Sequence, residues 1–122
     1  METWPDGARY QGDYVHGKKQ GKGHFDWSDG ASYFGDFLQN DIQGRGKYKW
    51  SDGREYEGVW FVNKMHGKGV FTWTDGRRYE GDFVKDKREG QGVMSWPDGR
   101  KYEGRWKHGR QHGDGIFMNA DG

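Results

Sequence analysis

Cysteine is absent from this chain of 122 residues, so neither a disulfide nor thiol chemistry is open to it. A strong net charge is absent too: the formal balance is only +1, and no global field draws the chain to nucleic acid. No apolar run is long enough to span a membrane, and no basic-then-apolar start marks a secretory signal. Hydrophobic residues reach only 30%, too few for the ordinary core of a single domain of this length. With 32% charged residues, such a composition leans toward disorder, but aromatics at 17% oppose that, because disordered chains are poor in them.

What the chain does have is glycine, aromatic rings and strict periodicity. Asp-Gly recurs at 6/7, 29/30, 52/53, 75/76, 98/99 and 121/122, and tryptophan at Trp4, Trp27, Trp50, Trp73 and Trp96, with a step of 23 residues and no insertion. A fixed period of this size is the signature of a solenoid or array and outranks any local motif. All 23 glycines occupy five positions of the repeat.

Within a unit the period is two. Tyr10, Gly12 and Tyr14 alternate with Gln11 and Asp13, and Gly21, Gly23, Phe25 and Trp27 alternate with Lys22, His24 and Asp26. Such alternation predicts two strands of a hairpin. After each of these five periodic tryptophans, Pro/Ser/Thr-Asp-Gly suits a type I turn closed by a left-handed glycine. The other connection has Gly17, Asn40, Asn63, Asp86 or Gly109 at one position, residues that tolerate positive φ and mark a second tight turn. The strand glycines share a face with 19 of the 21 aromatics, Phe34 and Phe61 being the exceptions, which suggests gaps cleared for neighbouring rings. The fold expected is all-β: an elongated single layer of antiparallel hairpins with about ten strands and no helix.

The runs YEGVWFVNKMHGKGVFTWTDG from Tyr56 and YEGRWKHGRQHGDGIF from Tyr102 resemble the MORN repeat. The resemblance covers five consecutive units, about 10–32, 33–55, 56–78, 79–101 and 102–122, with a partial unit at 1–9. Gln11 and Phe34 stand where the pattern has Glu, and Gln20 and Gln43 where it has His. It implies a curved run of hairpins. It also implies service as a non-catalytic scaffold in ciliary or cytoskeletal assemblies, or as a membrane- or phosphoinositide-targeting module of a larger protein. The corresponding address is cytoplasmic, on the cytoskeleton, the cilium or a membrane surface.

Catalytic constellations are readily set aside. Gly-Lys-Gly at 21 and 67 lacks the strand-to-helix context of a phosphate loop. The Asp-Gly aspartates recur two strands apart, about 9 to 10 Å, too far to share one ion, and a type I turn favours Asp there in any case. His108 and His112 flank one turn, but no thiol or carboxylate completes a metal set, and no cofactor is expected. Glu57, Glu80 and Glu103 form a solvated row whose plain role is pairing with cations such as Lys68.

Three surfaces are candidates for binding. A one-layer sheet has nothing of its own to cover an aromatic face, so a partner helix or extended peptide is expected in a groove formed by Tyr10, Tyr14, Tyr33, Phe37, Tyr56, Trp60, Tyr79, Phe83, Tyr102 and Trp106. Trp60 and Trp106 are the expected anchors. On the opposite face Val59, Phe61, Val70, Val84 and Val93 form either a second interface or a record of strand propensity. Along the turn edge, Lys18, Lys19, Lys64, Lys87, Arg88 and Arg110 offer a mildly cationic border for anionic lipid, or simply solvated turns. Unpaired strand edges at the ends invite self-association. Nucleic acid is not expected, because the rings share their face with few cations.

Overall fold

The computed structural model describes residues 2–119, and these form a single antiparallel sheet with no helix among them. Eleven strands run in chain order: β1 (Glu2–Thr3), β2 (Arg9–Val15), β3 (Lys18–Asp26), β4 (Ser32–Leu38), β5 (Asp41–Lys49), β6 (Glu55–Phe61), β7 (Lys64–Thr72), β8 (Arg78–Val84), β9 (Lys87–Ser95), β10 (Lys101–Lys107) and β11 (Arg110–Met118). The strand beyond the expected ten is the stub β1, which pairs Glu2 with Tyr10 and Thr3 with Arg9.

The two turns are built as their residues dictate. At the Asp-Gly end, Gly53 N–H donates to the Trp50 carbonyl (3.0 Å) and Trp50 N–H to the Arg54 carbonyl (2.8 Å). Gly53 lies at φ 99°, a region open to glycine at little cost. Asp52 Oδ1 accepts the Arg54 N–H at 3.0 Å, and the same contact recurs at Asp6, Asp29, Asp75 and Asp98. The aspartate ladder therefore serves its own turns.

At the other end, both central residues are left-handed: His16-Gly17, Gln39-Asn40, Val62-Asn63, Lys85-Asp86 and His108-Gly109. That is the type I′ geometry whose twist matches the flanking strands. Asn63 also bonds across to the preceding hairpin, its N–H donating to the Ile42 carbonyl (2.9 Å) and its Oδ1 accepting the Ile42 N–H (2.8 Å). Asn40 on Lys19 and Asp86 on Met65 repeat the double bond. These turn residues thus tie successive units together as well as tolerating positive φ.

Glycine faces glycine across strand after strand: 23 opposite 35, 35 opposite 46, 46 opposite 58, 58 opposite 69 and 69 opposite 81. Over this row lie the Tyr-x-Gly tyrosines. A Cβ on Gly46 would sit 2.1 Å from the Tyr33 hydroxyl oxygen, and one on Gly69 2.2 Å from that of Tyr56, so the glycines do clear space for rings. Each hydroxyl donates to a backbone carbonyl three residues on, Tyr56 to Val59 at 2.9 Å for example.

One expectation needs correction. Gly21, Gly44, Gly67 and Gly90 are not gaps under rings: a Cβ there would meet Asp13, Asp36, Val59 or Asp82. They sit at positive φ in a bulge, where one residue separates Gly58 from Trp60 while three separate Met65 from Gly69 on the partner strand. The bulge places residues 19, 42, 65 and 88 on the aromatic side, where Ile42 and Met65 join the buried core.

Candidate functional site

The aromatic face has two tiers. The inner tier is one continuous edge-to-face ladder: Tyr10, Phe37, Tyr33, Trp60, Tyr56, Phe83, Tyr79, Trp106 and Tyr102, with neighbouring ring centroids 5.1 to 5.9 Å apart and planes at 84° to 90°. This geometry suits the ring quadrupole and adds about 0.5–1.5 kcal/mol per pair beyond area burial. Tyr10, Tyr33, Tyr56 and Tyr79 are fully buried, and burial pushes the phenol pKa of each above its ordinary value. The indole N–H of Trp60 donates to the Gly46 carbonyl (3.1 Å) and that of Trp106 to Gly92 (3.2 Å), each on the preceding strand.

This placement corrects the expectation that the inner rings stand open. Of the ten expected groove residues only Tyr14 is exposed, while Trp60 and Trp106, the expected anchors, are 4% and 5% exposed. The physical reason is self-coverage: each Tyr spans the glycine row and each Trp or Phe wedges between two Tyr rings, so the sheet supplies its own second layer.

The rings left accessible belong to the outer tier. Trp4, Trp27, Trp50, Trp73 and Trp96 are half-buried and pack against the core cluster with Phe25 and Tyr48, in tilted contacts such as Phe71–Trp73 at 4.6 Å. Arg54, Arg77 and Arg100 lie over Trp50, Trp73 and Trp96 with their guanidinium carbons 5.4, 4.9 and 5.5 Å from the ring centroids. Each arginine is held by its turn aspartate, Arg77 Nε to Asp75 Oδ2 at 2.9 Å for instance. The Arg77 and Arg100 backbone N–H groups, then those guanidinium groups, keep the Asp75 and Asp98 carboxyls below the usual carboxylate range. Between the tiers lies a groove of about 260 Å³ that includes Trp50, Phe71, Trp73, Phe83 and Arg88.

Arg88 and Lys19 are the residues that alternation misassigned. Both were expected on a solvated turn edge, but the bulge turns them onto the aromatic face. The Arg88 guanidinium carbon is 4.9 Å from the Trp106 ring centroid and 5.6 Å from that of Trp73, while Nη2 donates to the Gly109 carbonyl at 2.6 Å. Burial lowers its pKa. Lys19 Nζ lies 5.5 to 5.7 Å from the rings of Trp4, Tyr10 and Phe25. Lys18, Lys64, Lys87 and Arg110 are exposed at the turns. The five residues of the expected second interface divide among cross-strand rows: Val70 and Val93 lie in the row of Phe34, Val59 stands opposite Arg45, and Phe61 and Val84 are exposed next to their turns. Lys68 pairs with Asp82 at 3.0 Å, not with the Glu row. The glutamates divide differently as well: Glu57 faces Lys47 and Val70, and Glu80 pairs with Arg78 at 2.9 Å.

An open single-layer array of hairpins with a self-packed aromatic face defines a repeat protein of the hairpin-array class. The MORN repeat family model matches residues 10–32, 33–53, 56–77, 79–99 and 102–122, and the chain belongs to that family, whose repeats are generally non-catalytic and occur in protein-interaction and membrane-association modules. A search of curated proteins finds no match.

Proposed function

We propose that this chain is a non-catalytic scaffold or adaptor module of the kind used in cytoskeletal and ciliary assemblies. It binds a protein partner, as a helix or an extended peptide, along the outer tryptophan row of its aromatic face. One observation supports this above the rest: Trp27, Trp50, Trp73 and Trp96 stay half-exposed in a periodic row beside a groove, with no second layer over them among the described residues. Tryptophan rings and arginines in a water-excluding groove are the residue types that dominate protein interfaces. Peptides selected by display against the intact chain test the reading. Trp50→Ala and Trp73→Ala should each weaken the selected peptide about tenfold or more while leaving the circular dichroism intact. If both folded variants bind as the wild type does, the reading fails. If the chain floats instead with anionic vesicles and captures no peptide, the lipid-targeting reading replaces it, and light scattering shows whether the partner is a second copy.

A further inference from the structure

The face opposite the rings carries a groove that crosses the strands. Two side-chain rows flank the glycine row there. The first runs Lys22, Asp36, Arg45, Val59, Lys68, Asp82 from β3 to β8, with Lys22 opposite Asp36, Arg45 opposite Val59 and Lys68 opposite Asp82. The second runs Phe34, Lys47, Glu57, Val70 from β4 to β7. Between them the backbone of Gly35, Gly46, Gly58 and Gly69 forms the floor of a groove of about 570 Å³.

One of its cations is left without a carboxylate for a local reason. Units one, two and four carry aspartate at one position, Asp13, Asp36 and Asp82, and unit three carries Val59 there. Asp36 accepts the Arg45 N–H at 3.0 Å and pairs with Lys22 Nζ at 2.6 Å; burial alone would raise its pKa, but those two donors hold it below the usual range. Lys68 likewise pairs with Asp82 at 3.0 Å. Arg45, facing Val59, forms no ion pair with a carboxylate among the described residues. Of the four cations lining the groove, Lys22, Lys47 and Lys68 therefore have carboxylate partners in Asp36, Glu55 and Asp82, and Arg45 alone is left for an entering anion. The three lysine pairs are no obstacle to an entering anion: the lysine side chains are 68%, 52% and 82% exposed, and such pairs are readily exchanged.

Lys22, Arg45 and Lys68 stand on alternate strands, about 9.6 Å apart. A peptide in the extended polyproline II form advances about 3.1 Å per residue with three residues per turn, so every third side chain faces the same way and meets the next cation. Residues between them meet Phe34, which is 61% exposed, and Val70. Glu57 in the wall opposes a uniformly anionic surface, whereas a peptide can place an apolar residue beside it.

We propose that this glycine-floored groove docks an extended acidic peptide of a protein partner, with carboxylates at every third position on Lys22, Arg45 and Lys68 and Arg45 as the bidentate anchor. The site is separate from the tryptophan row and does not depend on it.

The probe is a labelled peptide of Glu-Val-Gly triads, compared at low salt by fluorescence anisotropy with an isomer that gathers its glutamates at one end. The spaced peptide should bind about tenfold tighter than the isomer, and Arg45→Ala should remove about tenfold of that affinity. Val59→Asp supplies Arg45 with an internal carboxylate while restoring the residue its neighbouring units carry. It should remain folded by circular dichroism and lose about the same affinity. Trp73→Ala should change nothing, which separates this site from the aromatic face. Equal binding of the two peptides, wild-type affinity in both Arg45→Ala and Val59→Asp, or Arg45-dependent binding of phosphatidylserine vesicles without peptide binding would each overturn the proposal.

Discussion

Gly69→Ala sets two forces against each other. A Cβ on Gly69 would lie 2.2 Å from the Tyr56 hydroxyl oxygen and 2.4 Å from Cε1 and Cζ of its ring, against an ordinary carbon contact of about 3.5–4.0 Å. The ring cannot swing aside: it is fully buried, crossed edge-on by Trp60 at 5.1 Å and Phe83 at 5.1 Å, and bonded to the Val59 carbonyl at 2.9 Å. Overpacking of this kind costs about 1–3 kcal/mol, and displacing the hydroxyl from its acceptor about 0.5–1.5 kcal/mol more. Against that, alanine in a strand recovers about 0.5–1 kcal/mol of backbone entropy. The balance is a loss of about 1–3 kcal/mol, read as a lower midpoint in denaturant melts. In a Tyr56→Leu background the methyl has no ring to meet, so the same change should be neutral or slightly stabilising, a coupling of about 2 kcal/mol across the cycle. If Gly69→Ala stabilises the wild type, or costs the same in both backgrounds, the nesting of rings over glycines is not what holds the sheet.

Three further outcomes follow from the turns and the tyrosines. Val62 is a β-branched residue at φ 45°, 45% exposed, so Val62→Asn should raise stability by about 1 kcal/mol in thermal melts, and a lower melting point would contradict the turn assignment. Asn63→Ala removes the acceptor for the Ile42 N–H and adds a left-handed alanine, and it should cost about 2 kcal/mol in denaturant, against near-zero for a surface change. Tyr33, Tyr56 and Tyr79 have folded pKa values raised by burial first, well above an unfolded value of about 10. The stability they contribute is therefore complete below about pH 10 and lost as pH rises beyond it. Phenolate absorbance for these three should appear together with loss of circular dichroism; ionisation near pH 10 in a folded chain would contradict their burial.

Most of the architecture was legible in the residues because glycine, Asp-Gly and ring positions recur without insertion, and both turn types announce themselves in residues that tolerate positive φ. The bulge was not legible. Gly21 and its equivalents keep the alternation of a regular strand on paper, and only the paired register shows that Lys19, Ile42, Met65 and Arg88 face the rings. The tiering of the rings was hidden for a related reason: alternation assigns a face but not a depth. Trp60 and Trp73 share a face, yet Trp60 is wedged between Tyr33 and Tyr56 while Trp73 lies at the rim under Arg77. The opposite-face groove depends on one departure, Val59 for aspartate, whose consequence for Arg45 needs the cross-strand register.

Fluorine NMR on the intact chain carrying fluorotryptophan at its seven tryptophans distinguishes core rings from contact rings most directly. Two resonances, assigned by substitution to Trp60 and Trp106, should be shielded from a soluble paramagnetic quencher and unmoved when a bound peptide is added, while those of Trp50 and Trp73 should be quenched and shifted. Quenching of Trp60 and Trp106 as strong as that of Trp50 and Trp73 would show that the inner ladder does not close on itself, and the division of the face into core and contact row would fall with it.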